Sequence, residues 1–516
     1  MNETKMFAAI DVGSYELSMK IVAFSGKNNI KEIDHVSQRL DLGTGTYATG
    51  KIDAQKMDDL CHTLKEFTQI MRSYKVDAYK AYGTSAIRET HNTVVVLDQI
   101  KQRTGLDVEI LSNSEQRFLD YKSIASKSES FRRIIEEKTA ILDIGGGSIQ
   151  LSLFDNDTLV STQNLRLGVL RILEVMNDLK VSALHMEKLV DEMVTAQLSA
   201  YKKLYLKDRE IEKIIMVDDY VSPWVIKQIG KRKEEATITF ADFDQLVNLW
   251  NTKSVQEIAW RLEMVEEKVP LMFISSILAK RIAEMMGAEK VWTPGVTLCD
   301  GIAYEYGERI GMFKGEHDFE KDIVACAMNI SKRYMGSRKR AETLEDIATT
   351  IFDSMRKVHG MGDRERLYLR LAAILHDCGK YISMINVGEN SYSIIMATEI
   401  IGLSHREREI VANIVRFNHS PLAYYEQMMS ESGGMDRETY LTVAKLTAIL
   451  RLSASMDRSQ KQKLKGLKAT LRENELILSA DTLEDLTLEA GYFHSRAVFF
   501  QEVFSVTPVL RQYKRF

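Results

Sequence analysis

The chain has 516 residues, 45% of them hydrophobic and 28% charged, with a formal net charge of −4. That length exceeds a single hydrophobic core and predicts about three domains, and the balance excludes wholesale disorder. The slight negative charge excludes a global basic field, so no DNA partner is expected and any phosphate ligand has to be held by a local groove.

Cys61, Cys299, Cys326 and Cys378 form no paired spacing, which excludes a disulfide framework and a thiolate zinc site and suits a reducing cytosol. Met1 to Met6 is short and polar, and the apolar stretch Phe7–Ile10 is too short for a signal-peptide core. No window approaches about 18 uninterrupted apolar residues. A cytoplasmic protein without a membrane partner is expected.

In chain order, Phe7–Asp11 reads as a strand, Val12-Gly13-Ser14 as a tight turn, and Glu16–Phe24 as a strand with Leu17, Met19 and Ile21 on one face. Asp53 is placed to cap a helix carrying Met57, Leu60, Cys61, Leu64, Phe67 and Met71 on one stripe. Ala78–Ala86 and Asp107–Leu111 read as further strands. The pattern then restarts: Thr139–Ile144, the turn Gly145-Gly146-Gly147-Ser148, Ile149–Phe154 and Leu159–Leu165. Two copies of a strand, glycine turn and strand predict duplicated α/β lobes facing each other across a cleft, with residues near 300 completing the second. From about Asp318 the period is helical, until Lys468–Leu471 and Glu475–Ser479 predict a small closing strand pair.

A glycine turn between strands lets backbone N–H groups approach phosphate oxygens, and Ser14 and Ser148 each add a hydroxyl. Asp11 and Asp143, at the ends of the incoming strands, are placed to hold Mg²⁺ directly or through water. Two ordinary hairpin turns are the alternative. Between the turns, Tyr82-Gly-Thr-Ser-Ala-Ile-Arg88 offers Thr84 and Ser85 hydroxyls and the planar Arg88 fork to a phosphate.

Asp11-Val-Gly-Ser14, Gly83-Thr-Ser-Ala-Ile-Arg88, Ile110-Leu-Ser-Asn-Ser-Glu115 and Asp143-Ile-Gly-Gly-Gly-Ser148 together resemble the exopolyphosphatase/guanosine pentaphosphatase (Ppx/GppA) family, and Leu165-Arg-Leu-Gly168 looks like the segment that follows. The resemblance covers about residues 6–305. It implies two actin-like lobes of the acetate/sugar kinase/Hsp70/actin type with ribonuclease-H-like topology, placed here at 1–128 and 129–308. It implies Mg²⁺-dependent hydrolysis of the terminal phosphoanhydride of inorganic polyphosphate or of guanosine pentaphosphate (pppGpp), a stringent-response alarmone, and pairing into a homodimer. The phosphate-binding set is then Gly13, Ser14, Thr84, Ser85, Arg88, Gly145, Gly146, Gly147 and Ser148, with Asp143 and Asp11 on the metal.

The chain departs from the family pattern. On the family's Ser-Gly-x-Glu-Glu-Ala register, Glu115 matches the first glutamate and Gln116 the general base, and Gln150 replaces a further glutamate. Losing a general base costs about 10²–10⁴ in rate, although a glutamine still orients an attacking water. Glu115, Gln116 and Gln150 are thus the catalytic candidates, and Gln116 reads equally as a solvated loop residue. Val217-Asp-Asp-Tyr220 stands where a second-lobe glycine turn is usual, and Leu298-Cys-Asp-Gly301 lacks an arginine. A catalytically impaired polyphosphate- or alarmone-binding regulator is the alternative, with an ATP-binding actin-like regulator as a third reading.

Residues 315–516 are expected to form a mostly α-helical domain. Leu371-Ala-Ala-Ile-Leu-His376-Asp377 resembles the HD phosphohydrolase signature, with Asp457 as its distant aspartate and His359 the upstream histidine at hand. The resemblance implies a divalent metal on His376, Asp377 and Asp457; a hydrogen-bonded helix end is the equal alternative. Arg406-Glu-Arg408 and the basic run Arg458–Lys468 read either as solvated faces or as a polyanion path.

Overall fold

The structure, a computed structural model, describes residues 4–513 apart from 27–29, 128–134, 136–137, 156–157, 181–182, 230–236, 316, 432–434 and 465. It divides into two compact units, Met1–Asp322 and Ile323–Phe516. Among the described residues no helix is long and apolar enough to cross a membrane.

The first unit contains the expected duplication. Strands β1 (Lys5–Val12), β2 (Glu16–Phe24), β3 (Ile30–Arg39), β4 (Ala78–Gly83) and β5 (Val108–Ile110) form a sheet in the order β3-β2-β1-β4-β5. The second sheet uses β6 (Thr139–Ile144), β7 (Ile149–Asp155), β8 (Thr158–Leu165), β9 (Lys213–Asp218), β10 (Thr237–Thr239) and β11 (Lys290–Trp292), in the order β10-β11-β9-β6-β7-β8. In each, an antiparallel hairpin is followed by a parallel strand on the other side of its first member. β10 is an addition at the edge, antiparallel to β11.

Period-two alternation lets β1 serve two cores. Ala8, Ile10 and Val12 join Leu17, Met19, Ile21 and the helix Ala54–Ser73 through Leu60, Leu64 and Phe67. Phe7 and Ala9 face the opposite way, onto Phe24, Leu119 and Ile302. Burying each large side chain contributes roughly 1.5–3 kcal/mol, so a strand covered on both faces is a rigid base for whatever stands at its end. Asp53 caps its helix as expected, accepting from the Lys56 amide at 2.8 Å. The strand expected over 78–86 stops at Gly83: the Thr84 amide still bonds the Val12 carbonyl at 3.2 Å, but Ser85–Glu89 is already helical.

The segment near 300 does not complete the second lobe. Helix Leu298–Arg309 packs on the first sheet, burying Leu298, Cys299, Ile302 and Ala303 against Phe7, Phe24 and Leu119. Lys20, which sequence alternation places on a polar face, lies beneath it, buried, with Nζ 3.0 and 2.9 Å from the two Asp300 carboxylate oxygens. Gly301 sits where this helix meets helix Asn113–Lys127, and a Cβ there would overlap the Leu119 carbonyl oxygen. The helix bearing Gln116 is thus wedged in place by a backbone contact.

In the second unit, helices Arg338–Ser354, Asp363–Leu375, His405–His419 and Arg437–Met456 surround a core in which Leu371–Leu375 are wholly buried. Ser404 and Glu407 form a reciprocal cap at the third of these, with Ser404 N donating to Glu407 Oε2 at 2.8 Å. The expected strand pair is a three-stranded sheet: β12 (Lys468–Arg472) pairs antiparallel with β13 (Glu475–Asp481), and β14 (Thr507–Tyr513) adds in parallel.

Gly301→Ala is expected to destabilise the first unit by about 1–3 kcal/mol, the usual cost of overpacking. Denaturant unfolding checks this, and an unchanged midpoint would show that the two helices separate freely.

Candidate active site

Asp11 and Asp143 occupy matching positions on the central strands. Asp11 is paired with Ser18 across the hairpin and with Tyr82 on the parallel side; Asp143 is paired with Gln150 and Val217. The turns that follow them meet. A Cβ on Gly146 would lie 3.3 Å from the Ser14 Cβ, and one on Gly147 would lie 2.5 Å from the Tyr47 hydroxyl. A side chain at either glycine would crowd the Ser14, Ser85 and Tyr47 side chains at this contact. The Ser14 hydroxyl is 2.8 Å from both the Tyr47 and the Ser85 hydroxyls, and accepts from the Ala86 amide at 3.2 Å.

The glycine run is held from behind by helix Val169–Asp178. Val169 N donates to Gly145 O at 3.1 Å, Leu170 N to Gly146 O at 2.9 Å, and Arg171 Nε to Gly147 O at 2.7 Å. Gly168 permits this approach, because a Cβ would collide with the Gly146 carbonyl. The C=O and N–H of a trans peptide point oppositely, so the amides of residues 146, 147 and 148 are directed away from that helix.

The cleft between the turns encloses about 820 Å³ of empty space, part of it open to solvent. Its lining includes Asp11, Gly13, Ser14, Glu16, Thr84, Ser85, Gln116, Asp120, Asp143, Gly145–Ser148, Gln150, Asp218, Asp219 and, as its basic residue among those described, Lys268. Lys268 is itself 3.0 Å from Glu16.

This crowding of acids governs the site's electrostatics. Burial first, then Asp219, raises Asp143 to about 7. Burial, with Asp143, Asp11 and Asp219 nearby, lifts Asp120 well above the usual carboxylate range; burial and Asp219, Glu16 and Asp143 do the same to Asp11. Asp219, at the open side, rises to about 6 through crowding by protein atoms and through Asp218. Asp11 Oδ1, Asp120 Oδ2 and Asp143 Oδ2 are buried without a hydrogen-bond partner. Asp218 differs: its carboxylate accepts from the amides of Tyr220, Val221 and Ser222 and from the Ser275 hydroxyl, and so is spent on the loop.

Three unpartnered carboxylate oxygens suit a hard divalent cation. Among the described residues no three His, Cys, Asp or Glu side chains close on one point. Mg²⁺ asks for less, since it takes one or two carboxylates and fills its octahedron with water and phosphate oxygens. Asp11, Asp143 and Asp120 are the residues that fit.

Several residues singled out from sequence stand elsewhere. Glu115 does not line the cleft: its carboxylate accepts from the Ser112 amide at 2.9 Å while its own amide donates to Ser112 Oγ at 3.2 Å, a reciprocal helix cap. Arg88 is not itself in the cleft lining, but it stands directly behind it, its Nη1 donating to the Leu111 carbonyl at 2.6 Å and to Oε1 of the cleft-lining Gln116 at 3.5 Å. Gln150 does line the cleft, but its carbonyl oxygen accepts from Arg117 Nε at 2.8 Å. Asp120 and Lys268 were not singled out. Asp120 lies one helical turn from Gln116, a spacing that puts both on one face, and that i,i+4 relation was the available signal.

In the second unit, His359 uses both ring nitrogens within its own turn: Nε2 donates to the Phe352 carbonyl at 2.9 Å and Nδ1 accepts from Met361 N at 2.9 Å. It has no nitrogen left for a metal. Arg406 is engaged by Asp436 and Thr439, Arg408 by the Thr398 carbonyl, and Lys463 by Glu489, so these cations serve the fold.

The Ppx/GppA phosphatase family profile matches residues 21–309, and that of Ppx/GppA phosphatase domain III matches 325–499. A guanosine-5'-triphosphate,3'-diphosphate pyrophosphatase of Photobacterium profundum is 20% identical over 491 residues, spanning 92% of this chain and 91% of its own. The protein of the same description from Vibrio vulnificus is 22% identical over 504 residues, spanning 94% and 96%. Among solved structures, an Aquifex aeolicus Ppx/GppA family member and an exopolyphosphatase from Cytophaga hutchinsonii each align at 18% identity and a TM-score of 0.50, covering 60% of this chain and 99% and 100% of theirs. Those two likenesses show a shared fold. With the family profile spanning more than half of its length and with paired glycine hairpins meeting over an acid-lined cleft, the chain belongs to the Ppx/GppA phosphatase family.

Proposed function

We propose that this chain is a Mg²⁺-dependent phosphohydrolase that releases the terminal phosphate of guanosine pentaphosphate or inorganic polyphosphate. The observation that carries this reading is the pairing of two glycine hairpins with an excess of unneutralised carboxylates. The hairpins offer donors to phosphate oxygens, yet the acids repel a bare phosphate chain, so only a metal-bound phosphate matches the cleft. Mg²⁺ held by Asp11 and Asp143 would neutralise phosphate charge and stabilise the charge that moves to the leaving oxygen.

The side chains divide the remaining work. Ser14, Ser148 and the amides of residues 146–148 hold the terminal phosphate, with Thr84 beside them. Gln116 orients a water molecule on the helix face it shares with Asp120. As the water oxygen bonds to phosphorus and the bridging P–O bond breaks, the water proton passes to Asp120. Orthophosphate and the shortened chain leave. Asp120 thereby supplies from one helical turn away the carboxylate that position 116 lacks. Glu115, a helix cap, has no part in this chemistry.

A second reading, a binding protein with little turnover, is favoured by Gln116 and Gln150 standing where family members carry glutamates. Phosphate release from guanosine pentaphosphate and from long-chain polyphosphate, with Mg²⁺ and with EDTA, separates the two. Release that needs Mg²⁺ supports the enzyme; tight binding without release supports the binder.

Asp120→Asn is expected to lower kcat by about 10²–10⁴, the usual contribution of a general base. Adding Gln116→Glu to that variant should return part of the loss. Unchanged turnover in Asp120→Asn removes Asp120 from the reaction.

The pH dependence follows from linkage. Asp143 folded titrates at about 7, above its unfolded value near 3.8, so between these limits the native state binds more protons than the unfolded chain. Stability of the metal-free protein therefore falls as pH rises through that window. Mg²⁺ should raise the melting temperature at pH 8, and its effect should shrink toward pH 6 as protons compete for the same oxygens. A Mg²⁺ effect that is constant over this range contradicts the assignment.

A further inference from the structure

In the helical unit, His376 Nδ1 donates to the Ala373 carbonyl at 2.8 Å, Asp377 accepts from Lys380 at 3.1 Å and Asp457 from the Gln462 amide at 2.9 Å. Among the described residues no three His, Cys, Asp or Glu side chains close there on a metal. A different polar cluster, in the first unit, includes a member that the reaction does not use. The Ser14, Tyr47 and Ser85 hydroxyls form a triangle: Ser14 Oγ is 2.8 Å from Tyr47 Oη and 2.8 Å from Ser85 Oγ, and Tyr47 Oη is 2.5 Å from Ser85 Oγ. Ser14 and Ser85 are buried residues of the cleft lining, and Tyr47 stands behind them.

The Tyr47 ring is held in place from two sides. It belongs to the short helical segment Gly43–Thr49, whose Gly43 amide donates to the Ser14 carbonyl at 2.7 Å. Arg171 lies over the ring at 4.1 Å. Burial pushes the Tyr47 phenol up from its ordinary value, so at neutral pH it keeps its proton and is a donor.

The number of protons decides what the triangle can do. Each hydroxyl has one proton to donate and lone pairs with which to accept. Three contacts and three protons close on themselves, and nothing is then left for an anion. A phosphate oxygen only accepts, so its arrival has to draw protons out of the triangle. The Ser14 oxygen stays satisfied when its proton turns away, because it accepts from the Ala86 amide at 3.2 Å. For the Ser85 oxygen the corresponding donor is Tyr47.

We propose that Tyr47 is a positioning residue for the terminal phosphate: its hydroxyl donates to Ser85 Oγ, which frees the Ser85 and Ser14 protons for phosphate oxygens in the cleft. This rests on the reading of the cleft as a phosphate site. Without the Tyr47 hydroxyl the two serines, 2.8 Å apart, satisfy each other, and one of their two protons is withheld from the phosphate.

A double-mutant cycle on the binding of inorganic phosphate in Mg²⁺, followed by calorimetric titration of the full-length chain, tests this with Tyr47→Phe, Ser85→Ala and both together. Tyr47→Phe keeps the ring beneath Arg171 and removes only the hydroxyl, so its melting temperature should stay close to that of wild type. Its dissociation constant for phosphate should rise about tenfold, the usual weight of one hydrogen bond to a charged group. Ser85→Ala should cost at least as much. Adding Tyr47→Phe to Ser85→Ala should then change affinity less than about twofold, because Tyr47 has lost the serine it orients. A Tyr47 that only supports the fold would give equal losses in both backgrounds. That result, or an unchanged affinity in Tyr47→Phe, would overturn the proposal. Turnover of polyphosphate keeps the two readings apart: a wild type that binds phosphate but releases none removes the hydrolase, while the cycle still decides the role of Tyr47. A wild type that binds no phosphate in Mg²⁺ overturns both.

Discussion

Mutual repulsion among carboxylates in one cleft is the constraint on which the first unit depends. Asp11, Asp120 and Asp143 are held with oxygens that no protein group satisfies, and Asp219 adds its charge from the open side. A protein interior tolerates such groups only where surrounding structure enforces them and where a ligand relieves them. The enforcement here is visible. Asp11 and Asp143 project from strands whose sides are buried and whose hydrogen-bonded neighbours lie on both flanks, so neither can move away without breaking a sheet. On the proposed function, a cation that brings phosphate oxygens with it answers both the acids and the glycine turns.

The rest of the unit serves that juxtaposition. Helix Val169–Asp178 takes the carbonyls of the glycine run and so fixes which way its amides face. Helix Leu298–Arg309 crosses back to the first sheet, pins Lys20 through Asp300, and holds helix Asn113–Lys127 through the contact at Gly301. Gln116 and Asp120 owe their place in the cleft to that chain of contacts. Tyr47 and Ser85 steady the Ser14 hydroxyl, while Arg171 stacks over the Tyr47 ring at 4.1 Å and ties the second lobe's helix to the short helical segment Gly43–Thr49 of the first.

The duplicated hairpins were legible because their signal is local: an aspartate, a glycine turn and alternating flanks within about ten residues. Asp11 and Asp143, at the ends of the incoming strands, came with them. Asp120's place in the cleft was not legible, since it depends on the phase of a helix and on Asp143 across the cleft. Glu115 was misplaced by motif register, although Ser112-x-x-Glu115 is itself a capping pattern that argued for the role it has. Asp218 and Asp219 are adjacent and chemically alike, yet one is consumed by four donors and the other faces the cleft, a distinction only backbone geometry draws. The return of helix Leu298–Arg309 to the first sheet was hidden because chain order says nothing about which lobe a late helix covers.

The claim that the cleft accepts phosphate only together with a metal is tested most directly by calorimetric titration of inorganic polyphosphate into the wild-type protein, in Mg²⁺ and in EDTA. Binding should be at least about tenfold tighter with Mg²⁺, a difference of about 1.4 kcal/mol or more. Equal affinity in the two buffers would contradict the account, because it would mean that the carboxylates do not control entry.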